Sequence, residues 1–197
     1  LLKIVDSAKI NAGETVLEIG PGEGTLTEKL LEAGANVIAV EKDDRLIPIL
    51  QQKFSAEISS SQLHLIHSDI LNFSPLSYQL PATSYKLVAN IPYYITGEIL
   101  RKALSEWSQP SRIVLLVQKE VAERIVARNG KESLLSISVK IYGEPKIAGI
   151  VKAGSFVPAP KVDSAILVIE NISKGNFFKV RPWNPSRSNL EETEKRL

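Results

Sequence analysis

The chain has 197 residues, of which 44% are hydrophobic and 23% charged, and it contains no cysteine and two histidines. These proportions are typical of a globular domain and exclude a disordered, collagenous or coiled-coil protein. Without cysteine the chain has no disulfide framework and no cysteine nucleophile, and we predict no metal site. No apolar stretch is long enough to span a membrane and no secretory signal is recognisable, so we expect a cytoplasmic protein with no membrane association.

The net charge of +2 is unevenly distributed along the chain. Residues 1–100 carry 7 basic and 12 acidic groups, whereas residues 101–197 carry 17 basic and 10 acidic groups. A basic half favours contact with a polyanion such as nucleic acid, because each Lys or Arg near a phosphate releases bound counterions. The alternative is a solvated basic surface. The chain begins Leu1-Leu2 and contains no Met, so we expect it to be a piece of a longer protein.

Short β-rich runs alternate with helix-patterned segments along most of the chain. The predicted strands are Thr15–Ile19, Asn36–Val40, Leu63–His67, Tyr85–Ala89, Arg112–Val117, Lys146–Val151 and Ala165–Glu170. Helix-patterned segments separate the first five, and helices are predicted at Thr25–Ala33, Glu98–Trp107 and Lys119–Arg128. This order predicts an α/β fold with a mostly parallel sheet. No clear helix separates the last two strands, so we expect an antiparallel final strand paired with its predecessor.

A glycine-rich loop, Gly20-Pro21-Gly22-Glu23-Gly24, directly follows the first strand and precedes a helix. Glycines let the backbone approach a ligand closely, and a helix N-terminus offers free amides, so this pattern predicts a cofactor loop. The dinucleotide fingerprint G-x-G-x-x-G needs a third glycine where Thr25 stands, which disfavours NAD. Glu41 ends the second strand, 21 residues after Gly20, where a carboxylate can accept ribose hydroxyls. Asp69 follows the third strand and could accept an adenine amine.

The string Asn90-Ile91-Pro92-Tyr93-Tyr94 follows the fourth strand. Pro92 fixes its own φ and restricts Ile91 to an extended geometry, so the loop is predicted to be a rigid cradle of acceptors. The Asn90 amide oxygen and the Ile91 carbonyl could accept from an exocyclic amine, while the Tyr93 ring offers a stacking face for a base. Tyr94 is expected to pack beneath the loop.

These motifs together resemble those of the ribosomal RNA adenine dimethyltransferase family. The resemblance rests on Val16–Gly24, Asn90–Tyr93, Gln118–Ala122 and Phe156–Ser164, which occur in the family's order over residues 1 to about 170. It implies a Rossmann-like, class I S-adenosylmethionine-dependent methyltransferase domain at 1–171, with seven strands. Residues 172–197 would begin a small helical RNA-binding C-terminal domain.

The resemblance also implies roles for individual residues. The residues implied for S-adenosylmethionine are Glu18, Gly20, Gly22, Glu41, Lys42, Asp69, Ile70 and Asn90. The residues implied for the target adenine are Asn90, Ile91, Pro92, Tyr93 and Phe156. The implied substrate is small-subunit ribosomal RNA in a partly assembled particle, methylated by a monomeric enzyme. The alternatives are a large-subunit methylase that confers macrolide resistance, a non-catalytic assembly or transcription factor on the same fold, and an oxidoreductase.

Overall fold

A seven-stranded sheet forms the centre of the computed structural model, which describes residues 1–127, 131–155 and 160–173. The strands are β1 (Thr15–Ile19), β2 (Asn36–Glu41), β3 (Leu63–His67), β4 (Tyr85–Asn90), β5 (Arg112–Gln118), β6 (Glu144–Val151) and β7 (Ser164–Glu170). Their spatial order is β3-β2-β1-β4-β5-β7-β6. Every predicted strand is confirmed, with bounds that differ from the prediction by two residues at most.

Strands β1 to β5 run parallel, and β7 is antiparallel to both of its neighbours. The predicted pairing of the last two strands, with the final one antiparallel, is therefore confirmed. The sequence did not predict that β7 would insert between β5 and β6. Because β7 runs in the opposite direction, its first residue, Ser164, lies beside Gln118 at the carboxyl end of β5.

Seven α-helices lie in the described residues. They are α1 (Leu2–Ala8), α2 (Thr25–Glu32), α3 (Leu46–Lys53), α4 (Ser55–Ser59), α5 (Thr96–Arg101), α6 (Lys119–Val126) and α7 (Leu134–Tyr142), and a π-helical turn at Lys102–Glu106 extends α5. The three helices predicted by residue range are confirmed as α2, α5 and α6. Helix α5 begins two residues before its predicted start, and α6 ends at Val126, two residues before its predicted end, because the backbone of Ala127 is not helical.

The connection from β3 to β4 corrects the prediction that helices separate the first five strands. Residues 68–84 contain two short 3-10 turns, Ile70–Asn72 and Pro75–Tyr78, and no α-helix. Pro75 and Pro81 disfavour helical backbone at the residues before them. The Asp69 side chain accepts the Leu71 amide at 2.9 Å and caps the first turn.

The sequence does not predict helix α7, because its apolar residues repeat every two positions and not with the period of a helix. From Leu135 to Tyr142 apolar and polar residues alternate almost strictly, which is the pattern of a strand. The segment is nevertheless helical, and Ser133 caps it by accepting the Ser136 amide at 3.2 Å. The alternation leaves Leu134 and Ile137 exposed on the surface of the helix.

The core lies on both faces of the sheet because strand side chains alternate between them. One face packs Leu17, Leu87 and Leu115 against residues of α5, α6 and α7. The other packs Val16, Val88 and Val114 against residues of α1, α2 and α3. In the described part of the chain, no helix has the length and apolar character needed to cross a bilayer.

Candidate active site

The carboxyl ends of β1 and β4 meet at the centre of the sheet, where the strand order reverses direction. From this point the chain winds through β2 and β3 on one side and through β5 on the other. Open parallel sheets bind ligands at such a switch point, in the crevice beyond the carboxyl ends of the strands. The loop after β1 and the loop after β4 carry two of the sequence motifs, and they flank this crevice.

The glycine loop after β1 has three left-handed glycines, with φ of +64° at Gly20, +60° at Gly22 and +80° at Gly24. The Gly20 amide donates to the Val40 carbonyl at 2.9 Å, which ties the loop to β2. A Cβ at Gly20 or Gly22 would meet no atom of the described residues within 4 Å, whereas one at Gly24 would overlap the Phe54 ring. The first two glycines therefore border open space, and the third permits close packing of α2 against α3.

The Glu41 side chain is buried, although that of the next residue, Lys42, is exposed. Its Oε2 accepts the Gly22 amide at 3.1 Å, and its Oε1 accepts the amides of Lys42 and Asp43, each at 2.8 Å. The carboxylate thus holds the glycine loop and the start of the β2–α3 loop together. It borders a cavity and is oriented by these amides, so its remaining acceptor capacity can face a ligand.

Glu18 is fully buried on the face of β1 that is covered by α2. Neither of its carboxyl oxygens has a hydrogen-bond partner among the described residues, and nor does the Thr27 hydroxyl. Burial raises the pKa of Glu18 to about 8, and the negative charge of Glu41 adds to the rise. The Thr27 hydroxyl opposes this rise, although its approach lacks standard hydrogen-bond geometry. Glu18 thus lies beneath the glycine loop and does not line the crevice.

A cavity of about 570 Å³ lies between the ends of β1, β2 and β3. Of the residues predicted for the cofactor, it is bordered by Gly20, Glu41, Lys42, Asp69 and Ile70. Pro92 and Tyr94 close its other side.

Two of the charged residues that border this cavity, Lys42 and Asp69, are paired with each other. The Lys42 ammonium donates to Asp69 Oδ2 at 2.8 Å, and this bond holds the pKa of Asp69 below its usual value. An adenine amine that binds Asp69 must therefore share the carboxylate with Lys42, whose side chain is 74% exposed.

A second cavity, of about 480 Å³, lies between the glycine loop and the end of β4. Gly20, Gly22 and Asn90 border it together, so the structure brings the predicted cofactor loop and the predicted adenine cradle to one place. Ser155, directly before Phe156 in sequence, also borders it. Phe156 itself lies outside the described residues.

The tandem tyrosines after Pro92 point in different directions. Tyr93 is half-buried, and its hydroxyl lies 2.8 Å from the Ser164 hydroxyl. Tyr94 is 87% exposed, so the prediction that it packs beneath the loop is wrong. The 3-10 turn at Tyr93–Ile95 explains the difference, because consecutive residues of such a turn project about 120° apart.

The side chain of Ile91 belongs to the core and is 2% exposed. Only its backbone is available for the acceptor role that the sequence predicts.

The geometry agrees with comparisons to known proteins. The profile described as ribosomal RNA adenine dimethylase matches residues 1–184. The chain belongs to this family. Its members are S-adenosylmethionine-dependent methyltransferases. A relative from Dehalococcoides mccartyi, named ribosomal RNA small subunit methyltransferase A, is 45% identical over 188 residues, which cover 91% of this chain and 64% of the relative. The chain thus spans just under two thirds of that relative's length.

Two solved structures of the family's fold are similar to this chain. A dimethyladenosine transferase from Plasmodium falciparum matches with a TM-score of 0.76 and 33% identity, covering 89% of this chain and 62% of that one. The 23S rRNA methyltransferase ErmE matches with a TM-score of 0.74 and 30% identity, covering 85% and 65%. These similarities confirm the predicted class I methyltransferase fold and disfavour the oxidoreductase alternative.

The two cavities fit the cofactor of the family. The adenosine part of S-adenosylmethionine has ribose hydroxyls and an exocyclic amine as donors, and Glu41 and Asp69 present acceptors on one cavity wall. Gly20 borders both cavities and leaves room for close approach of a ligand to the backbone. A larger cavity, of about 680 Å³, lies along the edge strand β3 and contains none of the residues predicted for the site.

Sequence reasoning missed three contributors to this edge of the dimethylase domain. Helix α1 and the residue before it supply Ile4 and Leu1 to the second cavity, and the helical spacing of Ile4, Val5 and Ala8 could have revealed this helix. Tyr94 borders the first cavity, although nothing local distinguishes it from Tyr93. Ser164 ends one of the motifs that carry the resemblance, but the resemblance implies no role for it. Its contact with Tyr93 joins residues 71 apart in sequence.

Proposed function

We propose that this protein transfers methyl groups from S-adenosylmethionine to the exocyclic amines of adenosines in small-subunit ribosomal RNA. The observation that carries the proposal is the meeting of Gly20, Gly22 and Asn90 around one cavity. The relative named ribosomal RNA small subunit methyltransferase A supports the choice of RNA. The basic balance of residues 101–197 supports contact with a polyanion.

In this proposal the loops after β1, β2 and β3 hold the cofactor. Glu41 accepts the ribose hydroxyls, and Asp69, with the backbone around Ile70, receives the adenine. Gly20 and Gly22 let the chain lie close to the part of the cofactor that carries the reactive group. When bound there, S-adenosylmethionine supplies an electrophilic methyl group on a positively charged sulfur.

The target amine is a poor nucleophile because its lone pair is delocalised into the adenine ring. Positioning of the amine must therefore supply most of the acceleration. Acceptors at the Asn90 amide oxygen and the Ile91 carbonyl favour a pyramidal nitrogen and stabilise the positive charge that develops on it. The methylated nitrogen is acidic and loses its proton readily, so the site needs no strong base. In agreement, His64 and His67 are on β3, three strands away from β4 in the sheet.

The target base must leave its helix or lie in a loop to reach Asn90. Tyr93 on one side and Phe156 on the other would hold it, and stacking contributes about 1–3 kcal/mol per base. A second methyl can be added because the amine need not donate to both acceptors at once. We further propose that the catalytic domain ends near residue 171, that residues 172–197 begin an RNA-binding domain, and that the protein acts as a cytoplasmic monomer.

The test is methylation by the complete protein of unmodified small-subunit particles and, separately, of large-subunit RNA. Digestion and mass spectrometry should find dimethyladenosine in the small-subunit RNA, and the Asn90→Ala variant serves as the control for contaminating methylases. RNA binding should weaken steeply with salt while cofactor affinity hardly changes. Dimethyladenosine in large-subunit RNA alone would indicate the resistance type of methylase, an alternative favoured by the similarity to ErmE. Methylation of neither RNA would indicate a non-catalytic binding factor.

A further inference from the structure

The carboxyl ends of β1 to β5 form the active edge of the sheet, where the candidate site lies. The start of β7 also lies at this edge, although β7 is the last described strand of the chain. It reaches this edge because it is antiparallel to β5, and Ser164 lies opposite Gln118 of β5 and Val151 of β6. Ser164 is fully buried, in contrast to most serines of the chain. Its hydroxyl lies 2.8 Å from the Tyr93 hydroxyl. This contact spans the end of β5 and links the loop after β4 to β7.

The residue before Ser164 holds this strand end in place through three hydrogen bonds. The Asp163 carbonyl accepts the Lys119 amide at 3.0 Å, where α6 begins. The Asp163 carboxylate accepts the Ala153 amide at 3.0 Å and the Lys152 ammonium at 2.9 Å. The Lys152 ammonium holds the pKa of this carboxyl below its usual value, so Asp163 stays ionised near neutral pH. Ser164 is therefore a fixed reference point for the more exposed loop that carries Tyr93.

The Tyr93 ring is thereby held at both ends. At the backbone end, Pro92 has a φ of −56°, fixed by its own ring. At the far end, the bond to Ser164 fixes the phenol oxygen and with it the axis of the ring. Tyr94, the next residue, is 87% exposed, and no hydrogen bond from a described residue of the sheet holds it. A ring held in this way can present the same face to every incoming base.

We propose that Ser164 is a positioning residue for the target base and acts through the Tyr93 hydroxyl. The inference rests on the proposed function, in which Tyr93 stacks on the adenine. Loss of the bond would let the ring axis swing, and the amine would move relative to the acceptors at Asn90. Displacements of about 1 Å from reacting geometry can cost a hundredfold in rate, so even a modest swing is measurable.

The experiment is a double-mutant cycle on the complete protein with Ser164→Ala, Tyr93→Phe and the double variant. Single-turnover methylation, cofactor affinity by calorimetry and Tm are measured for each. Each single variant should lower the single-turnover rate roughly five- to thirtyfold, which is the effect expected from the loss of one hydrogen bond. Cofactor affinity should not change. The double variant should lose no more than either single one, because both remove the same bond.

Ser136→Ala is the matched control. Ser136 is also fully buried, and its hydroxyl donates to the Ile125 carbonyl at 2.8 Å, away from the candidate site. This variant should lower Tm without lowering the methylation rate. If Ser164→Ala does not fold, Tyr93→Phe removes the same bond from a half-buried side chain and must show the same loss of rate.

Two outcomes would overturn the inference. Losses that multiply in the double variant would mean that Ser164 does not act through Tyr93, and an unchanged rate in Tyr93→Phe would mean that the bond does not position the base. Both require a wild-type protein that methylates RNA. A wild-type protein that methylates no RNA would reject the proposed function itself, and this inference with it.

Discussion

The two halves of the active edge are built by different means. The half formed by the loops after β1, β2 and β3 relies on backbone groups, with three left-handed glycines and a buried Glu41 that accepts three main-chain amides. The half formed by the loop after β4 and the start of β7 relies on side chains, with Tyr93 tied to Ser164 and Asp163 tied to Lys152. Substitutions in the first half should therefore disturb folding and cofactor binding together. Substitutions in the second half can lower the rate of methyl transfer without affecting either.

The largest expected effect separates the two halves directly. Asn90→Ala should lower the single-turnover rate of methyl transfer by about 10²–10³-fold, the usual cost of losing one transition-state acceptor or donor. Cofactor affinity should change by much less, because the side chain acts on the adenine amine. Asn36→Ala is the control, since Asn36 lies at the opposite end of β2 and donates to the Gly13 carbonyl. Equal losses in rate and cofactor affinity would place Asn90 in the cofactor half.

The second prediction concerns stability in the backbone-built half. Gly24→Ala should lower the free energy of unfolding by about 2–4 kcal/mol, because its Cβ would overlap the Phe54 ring in a left-handed backbone. Gly22→Ala should cost about 1–2 kcal/mol, since it bears the left-handed strain without the overlap. Urea unfolding of both variants measures the difference. Equal losses would contradict the close packing of α2 against α3.

Substitutions of Glu41 test whether one carboxylate both organises the loops and binds the cofactor. Glu41→Ala should weaken cofactor binding by about 1–3 kcal/mol and should also lower Tm, because three amides lose their acceptor. Glu41→Gln keeps one acceptor oxygen and should retain part of both properties. Calorimetry and thermal unfolding of the two variants give the comparison. Unchanged cofactor affinity in both would remove Glu41 from the cofactor site.

Stability should depend on pH through Glu18, which lacks the amide partners of Glu41. Its folded pKa of about 8 exceeds the ordinary value of 4.5, so the folded state keeps a proton that the unfolded state has lost. Between those two values stability should fall as pH rises, by up to about 1.4 kcal/mol per unit. Glu18→Gln removes this slope, and its stability relative to wild type should therefore increase from pH 5 to pH 8. Parallel stability curves for the two proteins would show that folding does not raise the pKa of Glu18.

Local pattern in the sequence was sufficient for the strands, for three of the helices and for both motif loops. Strand periodicity and the glycine, proline and asparagine positions act within a few residues, so they can be read without a partner. Local pattern fails at helix α7, which has the alternation of a strand. Its helical form is stabilised by the cap at Ser133 and by burial of Val139 in the core. The roles of Phe156 and the boundary near residue 171 stay predictions, since both depend on residues outside the described ranges.

Only the tertiary structure decided how distant segments meet at the active edge. The insertion of β7 between β5 and β6 brings Ser164 to Tyr93, and the parallel pairing of β1 with β2 buries Glu41 beneath the Gly22 amide. The same pairing leaves Glu18 without a hydrogen-bond partner among the described residues. The sequence by itself determined which residue types were available and, to within one residue, where each strand ended. It could not determine these contacts, because they depend on the order and direction of the strands. Burial of the whole sheet fixes that order and direction, and no local run of residues does so.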